Sequence, residues 1–563
     1  MTTKLPRRRW IQTTGLAALT WPFQAAQSQG KRSHQADLVI IGASLGGCAA
    51  ALAGLRQGLR VILSEETDWI GGQLTSQGVP PDEHQWIESH GANRTYRALR
   101  RRIRDHYRRH YPLTESTKGD SLLNPGLGSV SRLCHEPRVA LAVLRDWMAP
   151  YLSSGQLTLL LEHEAVHAEV QSDRVQAITV RSRHSDRERR LVAPMFIDGT
   201  ELGDLLPLTK TEYVTGSEGR KVTGELHGTE KEDPHNEQAF TMCFAMDHVP
   251  GEEHVIDKPK DYAFWRDHVP ALLPAWSGKL LDWHYTHPRS GEAKKLGFNP
   301  LGPEHDGVVN LWNYRRIAAA ASFQEGRGHR DISLVNWPQN DYMLGSLIDV
   351  AAEEKQAHID ASKQLSLSLL YWMQTEASRL DGGQGFPGLR LRPDIMGTED
   401  GLAKYPYVRE SRRIEAELTI LESHCGTENR AQLLGQPADR ITSMHYEDSV
   451  GIGSYPIDLH PSTAGDNYID FPALPFELPL GALLPKRMQN LLPACKNIGS
   501  THITNGCYRL HPVEWGIGEA IGCLAVYCHQ QKTAPRAVRH QYKHWAAFQN
   551  LLHKNGVETQ WPS

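Results

Sequence analysis

The stretch that most constrains this chain is Ala36-Asp-Leu-Val-Ile-Ile-Gly-Ala-Ser-Leu-Gly-Gly-Cys48 together with its continuation to Glu65. Leu38 to Ile41 is a continuous apolar run, as a strand buried on both faces of a parallel sheet requires. Gly42, Gly46 and Gly47 allow a tight turn, and residues 48–56 read as a helix rich in small side chains. A second apolar strand, residues 60–63, closes with Ser64 and Glu65. Strand, glycine turn, helix, strand and acidic residue in that order make the βαβ unit that holds a dinucleotide. The helix start offers N–H groups and a positive dipole end to a pyrophosphate. Glu65 can accept hydrogen bonds from a ribose diol, and its carboxylate repels a 2′-phosphate, which argues against NADP. Ser44 stands at the second glycine of the usual G-x-G-x-x-G spacing, giving G-A-S-L-G-G.

At 563 residues the chain can build a large core, most simply as two intimately connected domains. A formal charge of −4 gives no global pull toward nucleic acid, and no apolar run reaches the roughly 18–20 residues that span a bilayer. The eight cysteines are scattered without C-x-x-C or metal-ligand spacing, so they read as buried thiols and no metal is expected.

Pro6-Arg7-Arg8-Arg9-Trp10-Ile11-Gln12 precedes a modestly apolar segment, residues 13–23. A basic start, a short apolar middle and a small-residue tail make an export signal over residues 1–33. Its paired arginines resemble a twin-arginine signal, which implies the twin-arginine export machinery as a partner and a bacterial periplasmic or secreted location.

Residues 34–210 are expected to form the first part of the dinucleotide domain. Gly71, Gly72 and Gln73 continue its cofactor site, because a glycine backbone passes close to a flat ligand. Residues 93–111 form a very basic helical stretch, read as a solvated face. Residues 156–161, 165–170, 175–182 and 190–197 alternate as four strands of an inserted meander. It leads into Phe196-Ile-Asp-Gly-Thr200, with Asp198 and Thr200 at the strand's carboxyl end, where α/β sheets bind ligands. Residues 211–480, aromatic and loop-rich, are read as the substrate (cap) domain. There Arg409 and Arg412, on neighbouring turns, could orient an anionic or polyhydroxyl group, with Tyr455 also assigned to substrate binding. Residues 481–535 return to the first domain, where Gly516, Gly518 and Gly522 mark a closely packed helix or a ligand on the helix start. Residues 536–563 read as a polar tail or peripheral helix. The fold class is therefore α/β: a Rossmann-like domain with an inserted β-meander and a large mixed α+β cap.

These residues resemble the FAD-dependent oxidoreductase family, with the glutathione-reductase type of two-dinucleotide-binding-domain fold, and in particular its secreted bacterial members of unassigned substrate. The resemblance rests on residues 42–65, Asp68-Trp-Ile-Gly-Gly-Gln73, His135-Glu-Pro-Arg138, Ile197-Asp-Gly-Thr200, Arg409-Glu-Ser-Arg-Arg-Ile414, Gly453-Ser-Tyr-Pro-Ile-Asp458 and the closing glycine helix. It implies FAD, with its pyrophosphate at Gly42, Ser44 and Gly47 and its ribose at Glu65. The flavin would then lie near Gly71, Gly72 and Gln73, with its pyrimidine edge at a helix starting near Gly516–Gly518. Three departures stand out: Ser44 for glycine, Glu201 after Thr200, and Cys495-Lys496 for a common Gly-Arg pair.

The flavin would carry the redox step, and a histidine near neutral pKa suits removal of the substrate's heteroatom proton. His511 and His502 are the leading candidates and His460 the third. The resulting reading is an exported oxidoreductase that moves a hydride from a small polar substrate, alcohol or sugar favoured, to flavin N5. A flavin-dependent isomerase or hydratase and a non-catalytic FAD-binding protein are the alternatives. With no second glycine-rich βαβ unit, an NAD(P)H-reductase cycle is disfavoured, and the electron acceptor is left open.

Overall fold

The computed structural model describes residues 33–302 and 308–562. The expected export signal lies outside the described residues as far as residue 32. The chain enters with a short strand, β1 (Ser33–Gln35), and then builds the βαβ unit as β2 (Leu38–Ile41), helix α1 (Leu45–Arg56) and β3 (Val61–Glu65). Every residue of β2 and β3 is buried, as their unbroken apolar runs require. The second helix, α2 (Arg94–His110), is followed by β4 (Leu157–Leu161), β5 (His163–Gln171), β6 (Arg174–Ser182), β7 (Glu188–Val192) and β8 (Phe196–Asp198). A return strand, Leu491–Pro493, completes a five-stranded parallel sheet in the order return strand, β8, β2, β3, β4.

This order corrects the four-strand meander expected between residues 156 and 197. Its first segment, β4, lies parallel to β3 inside the dinucleotide sheet. Its last segment is two strands, because Pro194 cannot donate to a ladder and the chain leaves the meander there. The meander proper is β7, β6 and β5, extended by β1, which pairs parallel with β7.

Helix α2 also departs from a simple solvated face. Its residues at spacings of three and four, Tyr96, Leu99, Arg100, Ile103, Arg104 and Tyr107, are buried. Arg100 reaches Glu83 and Glu88, and Arg104 meets Glu88 at 2.6 Å, so two of the basic residues are paired inside the fold.

The cap is built on an antiparallel sheet of Arg316–Ala318, Ile332–Val335, Phe244–His248 and Leu389–Leu391, in that order. The helix Ala352–Thr375 is tied to it by Ser366 Oγ donating to Met242 O (2.6 Å) and Gln374 Nε2 donating to Leu389 O (2.8 Å). One hydrophobic core runs from the parallel sheet into the cap.

The closing helix, His511–Gln531, lies directly against α1. A Cβ on Gly518 would stand 1.9 Å from Gly46 O, and one on Gly46 would stand 1.7 Å from Ala494 O, so only glycine permits this approach. Residues 536–563 prove more than a polar tail. They contain the helix Tyr542–Asn555, which buries Phe548 and Leu552. Arg94 N donates to Gly556 O (2.9 Å) and Trp561 Nε1 to Phe476 O (3.0 Å), so this segment binds both halves of the chain.

Candidate functional site

A cavity of about 280 Å³ opens at the carboxyl ends of β2, β3 and β8, the ligand-binding edge of such a sheet. Gly42, Ser44, Glu65, Gly72, Thr200, Glu201 and Tyr405 are among the residues that line it. Gly42 adopts φ +89°, and a Cβ there would fall 2.4 Å from Gly199 C and Thr200 N. Ser44 caps α1, its Oγ accepting from Gly47 N at 3.1 Å, so the hydroxyl is turned to the helix it starts. Glu65 accepts from Ala43 N (2.9 Å) and from Thr67 N and Oγ1 (3.1 and 2.9 Å). Burial, with the charge of Glu66 adding, pushes its carboxyl up to about 8.

These residues fit an adenine dinucleotide. At Gly42 and Gly72 a Cβ would fall 2.4 Å from the Gly199 backbone and from Glu201 Oε1, so only glycine lets the turn close around the cavity. Glu201 Oε1 and Tyr405 OH, both on lining residues, are buried without a hydrogen-bond partner among the described residues. A ligand carrying hydroxyls and phosphates supplies what such groups lack.

Behind the cavity lies a buried polar cluster. Lys496 Nζ contacts Glu201 Oε2, and Gln73 Nε2 contacts Glu514 Oε2 while donating to Arg509 O (3.0 Å). Glu514 Oε1 accepts from Gly46 N at 3.0 Å, and Cys495 Sγ lies 3.4 Å from it. Two of the departures noted in the sequence, Glu201 and Cys495-Lys496, are thus neighbours that compensate each other's charge. Burial and the nearby Glu201 and Glu514 carboxylates, against the weaker opposing pull of Lys496, push the Cys495 thiol well above its ordinary range, so it is held protonated.

A second cavity, also about 280 Å³, lies where the cap meets the first domain and is lined by Asp82, Tyr314, Arg315, Tyr407, Arg409, Tyr455, Asp458, His460, Tyr468 and Arg509, among others. It is close to the first. Tyr405 lines one and Tyr407 the other, and two residues of chain span at most about 7 Å. Gln73 also ties the Gly72 turn to Arg509, immediately before the closing helix.

At this second cavity His460 Nδ1 lies 2.6 Å from Asp341 Oδ2, and Tyr468 OH donates to the same oxygen at 2.6 Å. Asp341 Oδ1 accepts from Thr241 Oγ1 (2.6 Å) and pairs with Arg409 Nη2 (3.1 Å). Burial by itself would raise the Asp341 carboxyl, but Arg409 and His460 hold it far below the carboxylate range. Asp458 behaves alike: against the effect of burial, His460 and Arg509 bring it down to about 2. The ring is therefore fixed by an ionised carboxylate on Nδ1, with Nε2 3.5 Å from Asp458 Oδ2.

The three histidines expected as bases separate clearly. His511 is fully buried and does not line either cavity. Its Nδ1 lone pair is taken by Asp82 N (3.1 Å), and burial pushes its pKa down to about 3, so it is too weak a base to take a substrate proton near neutrality. His502 is buried 2.8 Å from Glu410; burial opposes its charge, but Glu410 raises its pKa overall and keeps it paired away from the cavity. His460, the third candidate, is the one on the cavity wall.

Other expected residues divide in the same way. Arg409 and Tyr455 line the second cavity, but Arg412 pairs with Asp204 (3.2 Å) and Asp349 (2.8 Å) instead. The two arginines are not on helical turns, since the segment runs extended into the strand Arg413–Ile414. Thr200 lines the first cavity, whereas Asp198 accepts from Thr200 N (3.0 Å), Thr200 Oγ1 (2.6 Å) and Leu205 N (3.2 Å) and so shapes its own turn. Gly71, Gly46 and Gly47 are packing positions beside the cradle. The closing helix starts at His511, so Gly516 and Gly518 are one to two turns inside it and not at its start. Gly518 packs on Gly46, while a Cβ on buried Gly516 would meet no atom within 4 Å. Asp82, Arg315, Asp341, Asp458 and Tyr468 carry no local signal in the sequence that marks them as site residues. They are scattered from residue 82 to 468 and only the fold assembles them.

The sequence matches the family described as FAD dependent oxidoreductase over residues 37–552. No curated protein matches it. Among solved structures it is similar to a single-site variant of the E. coli quinol fumarate reductase subunit FrdA, at 12% identity, covering 93% of this chain and 74% of that one with a TM-score of 0.32. It is also similar to an L-proline dehydrogenase from P. horikoshii, at 16% identity over 34% of this chain and 25% of that one, TM-score 0.18. A third is the flavin-dependent monooxygenase PieE, at 15% identity over 38% and 35%, TM-score 0.22. The matched part thus spans a quarter of the dehydrogenase chain and about a third of the monooxygenase, and no reading of this chain rests on these likenesses.

Proposed function

From the premise that this chain belongs to the FAD-dependent oxidoreductase family, which the match over residues 37–552 establishes, we propose that it oxidises a small hydroxylated substrate in the cap cavity, with His460 as the base. FAD is its cofactor, and when bound it supplies the two-electron acceptor for a hydride leaving the substrate's C–H bond. Gly42, Ser44, Glu65 and Thr200, among the residues that line the first cavity, would hold its adenine half, with Gly72 toward the flavin.

The observation that carries the reading is the His460–Asp341 pair on the wall of a cavity one dipeptide away from the nucleotide cavity. Oxidation of a C–H beside an O–H needs a group to take the hydroxyl proton as the carbon loses its hydride, leaving a carbonyl. Nε2 of His460 takes that proton, and the charged ring so formed lies between the carboxylates of Asp341 and Asp458. Asp341 orients the ring, and Tyr468 and Arg409 orient Asp341 in turn. Tyr455 and Arg409 bound the space the substrate occupies. Alcohols or sugars are the favoured substrates, since the cavity wall offers tyrosine hydroxyls and charged donors together.

Export through the twin-arginine route to the periplasm or beyond completes the proposal; its support is the Arg7-Arg8-Arg9-Trp10 segment. The test is anaerobic titration of the FAD-loaded protein with a panel of alcohols, sugars and amines. Substrate-dependent bleaching of the flavin by a hydroxylated member supports the reading. Bleaching by amines alone, or turnover of a substrate without any change in the flavin, overturns it.

A further inference from the structure

The polar atoms of the cap cavity's wall are unevenly satisfied. Among the described residues, five buried donors on lining residues have no acceptor: Arg315 Nε, Arg409 Nε, Arg509 Nε, Asn336 Nδ2 and Trp337 Nε1. Among the same residues, no lining side chain carries a buried acceptor in that condition. A neutral polyol brings donors and acceptors in equal number and leaves such a wall half met. A carboxylate brings acceptors only, and its two oxygens can accept from more than one of these separate N–H groups.

The charges agree with the donors. Arg315 pairs with Asp82 at 3.1 Å, Arg409 with Asp341 at 3.1 Å and Arg509 with Asp458 at 3.4 Å. The remaining lining carboxylate, Asp470, pairs with Arg289 at 3.3 Å, so the four pairs leave the wall near neutrality, with the terminal nitrogens of Arg315, Arg409 and Arg509 committed and each Nε–H unspent. When His460 takes a proton the cavity gains a positive charge, and a bound anion neutralises it. An anionic ligand thus both meets the free donors and stabilises the protonated base.

We infer that the substrate of this cavity is a hydroxy acid, its carboxylate held on the Arg315, Arg409 and Arg509 side and its hydroxyl presented to His460. The inference rests on reading this cavity as the substrate site. The volume of about 280 Å³ sets the size at that of a short-chain hydroxy acid or a single sugar acid.

The test uses the FAD-loaded full-length protein and matched pairs that differ in the carboxylate: glycolate against ethylene glycol, and glucuronate against glucose. Calorimetric titration near neutral pH and low salt should show at least one acid binding tenfold or more tightly than its neutral partner. That preference should fall to near unity in the charge-neutral double variant R315Q/D82N and in R509Q, with thermal melting used to check that each is folded. Equal affinity within both pairs, no acid binding at millimolar concentration, or a preference that survives both variants overturns the inference. Should either variant fail to fold, the wild-type ratio decides. Flavin bleaching separates this inference from the wider one. An acid that binds by the arginines without bleaching the flavin upholds the carboxylate and overturns the oxidoreductase assignment of this cavity. Bleaching by neutral alcohols with no acid binding does the reverse.

Discussion

Lys496→Met removes the ammonium that faces Glu201 and stands near Glu514 in the buried cluster behind the nucleotide cavity. The Lys496 and Glu201 side chains are 1% and 10% exposed, so water cannot replace the lost partner. Leaving one member of a buried ion pair unpaired costs about 3–5 kcal/mol, whereas replacing both members by neutral groups is often close to neutral. Methionine is only one atom shorter than lysine, so cavity formation adds little to that cost. K496M should therefore lose about 3–5 kcal/mol, E201Q should lose less because Lys496 retains the Glu514 charge, and E201Q/K496M should recover most of the difference. The double-mutant cycle should give an interaction energy of about 2–3 kcal/mol. Urea unfolding of the cofactor-free protein, followed by tryptophan fluorescence at matched slope, reads these values from the midpoints. Strict additivity of the two single changes would refute the claim that Glu201 and Lys496 compensate each other.

Further outcomes follow from individual sites. G516A, whose Cβ meets nothing within 4 Å, should stabilise the cofactor-free protein by up to about 1 kcal/mol through helix propensity, whereas G518A, with its Cβ 1.9 Å from Gly46 O, should destabilise it by about 1–3 kcal/mol or more; paired melts check the opposite signs. Burial keeps His511 neutral down to about pH 3, while the unfolded chain takes that proton near 6.5, so the unfolded state binds more protons between those values. Stability is then complete above about pH 6.5 and falls by about 1.4 kcal/mol per unit as pH drops toward 3; H511N, which still accepts from Asp82 N, should flatten that acid limb in pH-dependent unfolding. Replacing Arg7 and Arg8 by lysine should trap the precursor in the cytoplasm, as cell fractionation would show, and unaltered export would refute the signal.

The parallel-sheet unit was legible because its signals are local. Leu38–Ile41, Gly42, residues 48–56 and Glu65 form a contiguous pattern, and each residue acts within thirty positions of the others. The meander was misread for want of pairing information: β4 has the same strand-forming composition whichever sheet it joins, and only the register with β3 decides. The start of the closing helix was placed too late, near Gly516–Gly518, whereas Pro512 in the first turn already marks the true beginning. The base was ranked by proximity to that helix, which says nothing of burial; His511 and His502 lie in the core, and His460 meets Asp341 across more than a hundred residues. Glu201 and Lys496 were each visible as departures, but 295 positions separate them and neither alone announces the other.

The proposed oxidation needs a bound flavin and the His460–Asp341 pair acting together on a hydroxylated substrate. It is tested most directly by rapid-mixing reduction of the FAD-loaded protein under anaerobic conditions, wild type against H460N. The H460N protein should keep its FAD and bind substrate, yet bleach at least about 100-fold more slowly, in line with the loss of a general base. Bleaching of H460N at the wild-type rate, or a folded wild-type protein that cannot take up FAD, would contradict it.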